Sequence, residues 1–131
     1  MKRIIVGISG ASGAEFGHRV FEALHALPVI ETHLVISEGA REIFRRESDA
    51  DIADIEALAD HVYDNHDMGA AISSGSYLTD GMIAAPCSMK SLAAIACAFD
   101  DDFLVRAANV CRKEGRKVVL VPRGVRYLLH I

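Results

Sequence analysis

Short apolar runs alternate with amphipathic stretches along the whole chain. Residues 3–8 form a β-branched run of the kind a buried strand uses, and Phe16, Val20, Ala23, Leu24 and Leu27 then recur at i, i+4, i+7, i+8 and i+11, one face of a helix that Pro28 helps to end. The same alternation predicts a strand over 32–36, helices over 38–46 and 53–58, a weak strand over 61–63 and a polar, Gly/Ser-containing loop over 64–78. A strand over 82–85 is expected to stop at Pro86, with helices over 88–98 and 103–112 separated by the acidic turn Asp100-Asp101-Asp102. Gly115 is the expected cap of the second helix, and 118–121 reads as the last strand. Strand and helix in this order imply a parallel sheet with helices on both faces.

Length and charge narrow the function. The 131 residues, 51% hydrophobic and 24% charged, suffice for a single domain spanning 1–131. A net charge of -4 argues against a nucleic-acid groove or an anionic membrane surface, both of which need clustered positive charge. Small molecules or other proteins are the expected partners. Cys87, Cys97 and Cys111 show no C-x-x-C spacing and read as reduced thiols, two of them in the core. Lys2-Arg3 before an apolar run is like the start of a signal peptide, but Gly7, Ser9 and Gly10 interrupt it, and no stretch reaches the roughly 20 apolar residues of a membrane span. A cytoplasmic protein is expected.

The candidate chemistry sits where strands run into helices. The first apolar run breaks into glycines at Gly7, Gly10 and Gly13, and a Gly-rich turn between a strand and a helix presents backbone N–H groups and a helix N-terminus to an anion, with glycine letting a ligand approach the backbone. The spacing is neither the dinucleotide fingerprint G-x-G-x-x-G nor a P-loop, and the second strand ends in Ser37 where a dinucleotide fold often has an acid, so a mononucleotide fits better than a dinucleotide. The alternative is a tight turn that binds nothing. A second junction, "APCSMKS" at 85–91, again brings hydroxyls and helix N–H groups to the same sheet edge, although Ser88 is also an ordinary N-cap candidate. Cys87 has no neighbouring histidine in sequence and reads as structural. His61 and His66 are spaced as in a loop rather than a ligand pair, and no metal is expected.

Five ordered segments, "GISGASGA", "ETHLVIS", "ISSGS", "TDGMIAAPCSMKSLA" and "RAANVCRKEGRKVVLVPR", resemble the UbiX-like flavin prenyltransferase family, nearest the branch whose members accompany phenolic acid decarboxylases as a small subunit. The resemblance runs over 1–123, with 124–131 divergent. It implies a doubly wound, Rossmann-like or flavodoxin-like three-layer α/β/α fold and a homo-oligomer, from trimer to dodecamer. It implies an enzyme that joins a dimethylallyl group from dimethylallyl phosphate to reduced FMN and supplies the prenylated FMN to a UbiD-type decarboxylase.

Carried over by position, the resemblance assigns FMN to Gly10, Ala11, Ser12, Ser37, Ser88, Met89, Lys90, Ser91 and Arg123. It assigns the prenyl phosphate to Ser74, Gly75, Ser76, Arg106 and Lys113, some of them across the contact between two protomers, and proton handling to Ser12 and Glu47. Arg106, Lys113 and Glu47 also read as members of ordinary solvated charged faces. After Arg123 the family continues with an acid, a further helix, a strand and a C-terminal helix, whereas this chain reads "GVRYLLHI". The expectation is therefore a truncated member without the last strand and helix, with FMN binding without turnover as the alternative function.

Overall fold

The computed structural model describes residues 2–10, 14–47, 52–67, 72 and 74–122. Five strands, β1 (Lys2–Ile8), β2 (Ile30–Ile36), β3 (His61–Tyr63), β4 (Gly81–Cys87) and β5 (Lys117–Pro122), form one sheet in the order β3-β2-β1-β4-β5. Every neighbouring pair is parallel. The helices are α1 (Ala14–His25), α2 (Glu38–Glu47), α3 (Ile52–Leu58), α4 (Met89–Ala96) and α5 (Phe103–Lys113). The chain winds outward from β1 to β3 and then returns to the other side of β1 for β4 and β5. This is the doubly wound, flavodoxin-like α/β fold, and its winding reverses between β1 and β4.

Side-chain alternation along the central strands sends two sets of residues to opposite faces. Ile5, Val35 and Met82 meet Phe103, Leu104, Ala107 and Cys111 of α5 and Ile95 of α4. Val6, Ile8, Leu34 and Ile36 meet Phe21 of α1, Phe44 of α2 and Ile55 of α3. The layers are therefore α1–α3, the sheet, and α4–α5. Cys87 and Cys111 are buried and Cys97 is exposed, as the sequence implied. Among the described residues no helix is long and apolar enough to cross a membrane.

Two sequence expectations need correction. The buried face of α1 is centred on Gly17 and Phe21, while Ala23 is exposed and Leu27, beyond the helix end, is 47% exposed. Periodicity missed it because Gly17 has no side chain to count. A Cβ there would sit 2.5 Å from the Ala85 carbonyl oxygen, so glycine is what lets α1 lie against β4. Pro86 also does not stop β4, which continues to Cys87. The β4–β5 register shifts between Ala84 and Cys87, and proline, lacking an N–H, fits such an irregularity.

The ends of α5 are tightly specified. Asp102 accepts the Val105 N–H at 2.9 Å, and Asn65 accepts the Leu104 N–H at 2.8 Å while donating to Asp102 at 2.9 Å. At the other end Gly115 takes a φ of 71°, with Gly115 N–H bonded to Arg112 and Arg116 N–H to Cys111, a Schellman motif. Because Phe103 is fully buried in the core that α5 builds, Phe103→Ala is expected to cost about 3–5 kcal/mol in urea unfolding. A loss below about 1 kcal/mol would contradict this packing.

Candidate functional site

The cleft lies at the carboxyl ends of β1, β2 and β4, where three strand-to-helix junctions meet. Their backbones are tied together. Ser37 N–H donates to Ile8 at 2.9 Å and Ser9 N–H to Pro86 at 3.1 Å. The buried Ser9 hydroxyl accepts Ser88 N–H at 2.7 Å and donates to the Pro86 carbonyl at 3.3 Å. The resulting space, about 690 Å³, is lined by Gly10, Ser37, Glu38, Gly39, Asn65, His66, residues 88–91, Ala94, Asp100, Asp101, Asp102 and Val105. That size suits one small organic ligand.

Two helices present their N-termini here. Ser37 Oγ accepts Ala40 N–H at 3.1 Å and its carbonyl accepts Arg41 N–H at 3.0 Å. Ser88 Oγ accepts Ser91 N–H at 3.1 Å and its carbonyl accepts Leu92 N–H at 2.8 Å. Both serines are thus true N-caps, and the N–H groups of Glu38, Gly39, Met89 and Lys90 are the first-turn donors left over by helix geometry. Together with two converging helix dipoles they favour an anion.

Side-chain charge around the rim is mostly paired. Lys90 lies 3.1 Å from Asp101, Arg106 2.7 Å from Asp100 and His66 3.5 Å from Glu38. Hydrogen bonds from Asn109 and Arg106 hold the Asp100 carboxyl below the usual carboxylate range. Burial pushes the Cys87 thiol up, which opposes thiolate formation and agrees with its structural reading.

The Flavoprotein family model matches residues 1–128. The chain is 55% identical over 130 residues to a probable UbiX-like flavin prenyltransferase of Sedimentibacter hydroxybenzoicus, covering 98% of this chain and 69% of that protein. It is 49% identical over 123 residues to the flavin prenyltransferase UbiX of Escherichia coli strain K12, covering 94% and 65%. It belongs to the UbiX-like flavin prenyltransferase family. Among solved structures, AnUbiX (PadA1) in complex with FMN and dimethylallyl pyrophosphate superposes with a TM-score of 0.89 at 48% identity, covering 92% of this chain and 64% of that one. A dodecameric FMN-dependent UbiX-like decarboxylase from Escherichia coli O157:H7 gives 0.90 at 49% identity, with 92% and 65% covered. The chain therefore spans 64–69% of the length of these relatives.

Of the residues that the family resemblance singles out, Gly10, Ser37, Ser88, Met89, Lys90 and Ser91 line the cleft together. Ala11, Ser12 and Arg123 lie outside the described residues, and Glu47 closes α2 with its side chain likewise outside them. Arg106 reaches the rim through Asp100. Ser74, Gly75 and Ser76 do not line the cleft: the two serine hydroxyls are 2.8 Å apart, and the Gly75 carbonyl accepts from Arg116, just beyond the far end of α5. Lys113 is exposed in that last turn. One expectation changes its reason: a Cβ on Gly10 would lie 2.9 Å from Gly39 backbone, so this glycine admits the first turn of α2.

The sequence reading missed Ser9, Gly39, Asn65, His66 and the cleft-lining part of the acidic turn. Ser9 was visible only as one of several small residues in a loop, and Asn65 carried no spacing signal at all. Ser9→Ala removes a buried partner of both Ser88 N–H and the Pro86 carbonyl. It is expected to cost about 1–3 kcal/mol, read by denaturant unfolding. A neutral result would show that the two junctions hold together without the hydroxyl.

Proposed function

We propose that this chain is a flavin prenyltransferase that joins a dimethylallyl group from dimethylallyl phosphate to reduced FMN, and that residues 1–131 act as a single flavin-binding domain. The observation that carries the reading is the convergence of α2 and α4 N-termini, with their N–H groups and serine caps, on a mononucleotide-sized cleft. Relatives near 50% identity bear the name flavin prenyltransferase, and a similar structure holds FMN and a dimethylallyl donor.

The residues present fit FMN. Backbone N–H groups of Glu38, Gly39, Met89 and Lys90 suit its phosphate, and Gly10, Ala11, Ser12, Ser37, Ser91 and Arg123 are the further contacts in this reading. When bound, reduced FMN supplies the electron-rich ring that receives the dimethylallyl group. Cleavage of the allylic C–O bond develops positive charge on the allyl group and releases phosphate. Arg106 and Lys113 are the cations that stabilise the departing phosphate, with Ser74, Gly75 and Ser76 as its hydroxyl and backbone contacts. Ser12 and Glu47 move protons at the flavin.

Since Ser74–Ser76 and Lys113 stand away from the cleft of their own chain, a second copy in a homo-oligomer is the source of the prenyl-phosphate contacts. A similar structure is dodecameric. The product passes to a UbiD-type aromatic acid decarboxylase in the cytoplasm. FMN binding without transfer is the second reading, favoured because the cleft of one chain is lined by Gly10, Ser37 and residues 88–91 but not by Ser74–Ser76 or Lys113.

Incubation with reduced FMN and dimethylallyl phosphate, followed by mass analysis of the bound flavin, separates these readings. A mass gain of one dimethylallyl group supports transfer, unmodified bound FMN supports binding alone, and absence of bound flavin overturns both. Lys113→Ala is expected to leave FMN affinity unchanged and slow transfer roughly ten- to a thousandfold. Ser12→Ala is expected to weaken FMN by about 0.5–1.5 kcal/mol, one hydrogen bond, without abolishing binding. Collapse of FMN affinity in the lysine variant alone would reverse the two assignments.

A further inference from the structure

We propose that Glu31, His33 and His61 form a binding site for a divalent transition cation of the zinc class, separate from the cleft. Glu31 and His33 are two residues apart on β2 and so share a face, and the parallel register sets His33 beside His61 of β3. Glu31 Oε1 lies 2.8 Å from His33 Nε2 and 3.3 Å from His61 Nε2, and all three donor atoms fall within 4.8 Å of one another. Two imidazoles and a carboxylate with an open position are a set that zinc takes. The site opens on a groove of about 430 Å³ lined by Glu31, His61, His25 and Asp60, which admits water or a fourth ligand.

The surroundings prepare the ligands. His33 is fully buried, and desolvation lowers its pKa below the ordinary imidazole value despite Glu31, the direction that leaves a ring nitrogen free to bind a cation. Glu31, lowered first by its hydrogen bond to His33, is ionised. His33 Nδ1 is 2.8 Å from the Tyr63 hydroxyl. That hydroxyl donates to Nδ1 while Nε2–H faces Glu31, and accepts from Nδ1–H once Nε2 gives its lone pair to a metal. It therefore serves both tautomers, the role an outer partner plays for a ligand histidine.

Two features set the limits. The His33 and His61 rings stack at 4.5 Å and 16°, so their lone pairs lie in nearly parallel planes instead of converging on one point. His61, with 51% of its side chain exposed, must turn toward His33 to bring the two nitrogens to the separation of about 3.3 Å that bonds of about 2.0–2.1 Å require. Arg3 Nε is 3.5 Å from Glu31 and opposes a second cation, although the Leu78 carbonyl and the Tyr77 ring also hold its guanidinium. Both features weaken the binding relative to a site whose ligands are already placed.

The test is titration of the chelator-treated full chain with Zn²⁺ against a chromogenic chelator at neutral pH, with Co²⁺ absorption as a second readout. One ion per chain and a tetrahedral Co²⁺ spectrum are expected. Outer partners alone are worth about 10–100-fold, so His61→Ala and Glu31→Gln should each weaken binding by at least about a hundredfold and Tyr63→Phe by about tenfold. His18→Ala, on α1, should change nothing. His61 is exposed, and circular dichroism checks that its variant is folded. Absence of saturable binding, or binding unchanged in both His61→Ala and Glu31→Gln, would overturn the site and leave the stacked pair as an ordinary cross-strand contact.

Discussion

One buried hydroxyl joins the two halves of this fold at the point where they part. The winding reverses between β1 and β4, so the loops leaving these strands diverge to opposite faces, and something must hold their starts together. Ser9 does so, taking Ser88 N–H and giving its proton to Pro86, while its own N–H binds Pro86 as well. Since buried polar groups carry a penalty when unpaired, this small network fixes one geometry rather than several. The placement of α4's first turn, and with it the donors of Met89 and Lys90, rests on that tie. Proline in β4 supports it, because the strand there has left its regular ladder and the Pro86 carbonyl is available to accept.

The cleft combines a favourable backbone field with an unfavourable side-chain one. Helix N-termini draw an anion in, whereas Glu38, Asp100, Asp101 and Asp102 line the same space. Lys90 and Arg106 are engaged by two of those acids. These pairs are largely exposed and so weak, which makes them exchangeable. In the proposed reading, an anion entering the cleft would compete with a carboxylate for each cation instead of meeting a bare charge.

Much of this was legible in the sequence. All five strands, the parallel α/β class and the two strand-to-helix junctions follow from apolar runs, serines and glycines at the expected positions, because those signals are local. What stayed hidden depends on register and on what is absent. Gly17 marks the buried face of α1 by having no side chain, and Gly10 makes room for Gly39, neither of which periodicity counts. Asn65 and the Glu31–His33–His61 cluster arise only when parallel strands or a loop and a helix N-terminus come side by side. By spacing, His61 and His66 read as loop residues rather than a ligand pair; in the sheet the neighbour of His61 is His33.

The face of α5 carries the last step. Arg106 and Lys113 are seven residues apart, two turns, and so lie on one face separated by about 10.5 Å. Arg106 is anchored at the cleft end by Asp100, and Lys113 stands exposed at the opposite end, near the segment that bears Ser74 and Ser76. Between them Asn109 donates to Asp100, while its buried Oδ1 has no hydrogen-bond partner among the described residues. In the proposed reading, a phosphate held by both cations lies along this face, away from the serine-capped helix N-termini that line the cleft. The proposed flavin site then belongs to one sheet edge and the proposed phosphate site to a helix side, and setting the α5 face of one chain against the cleft of another is what would bring them together.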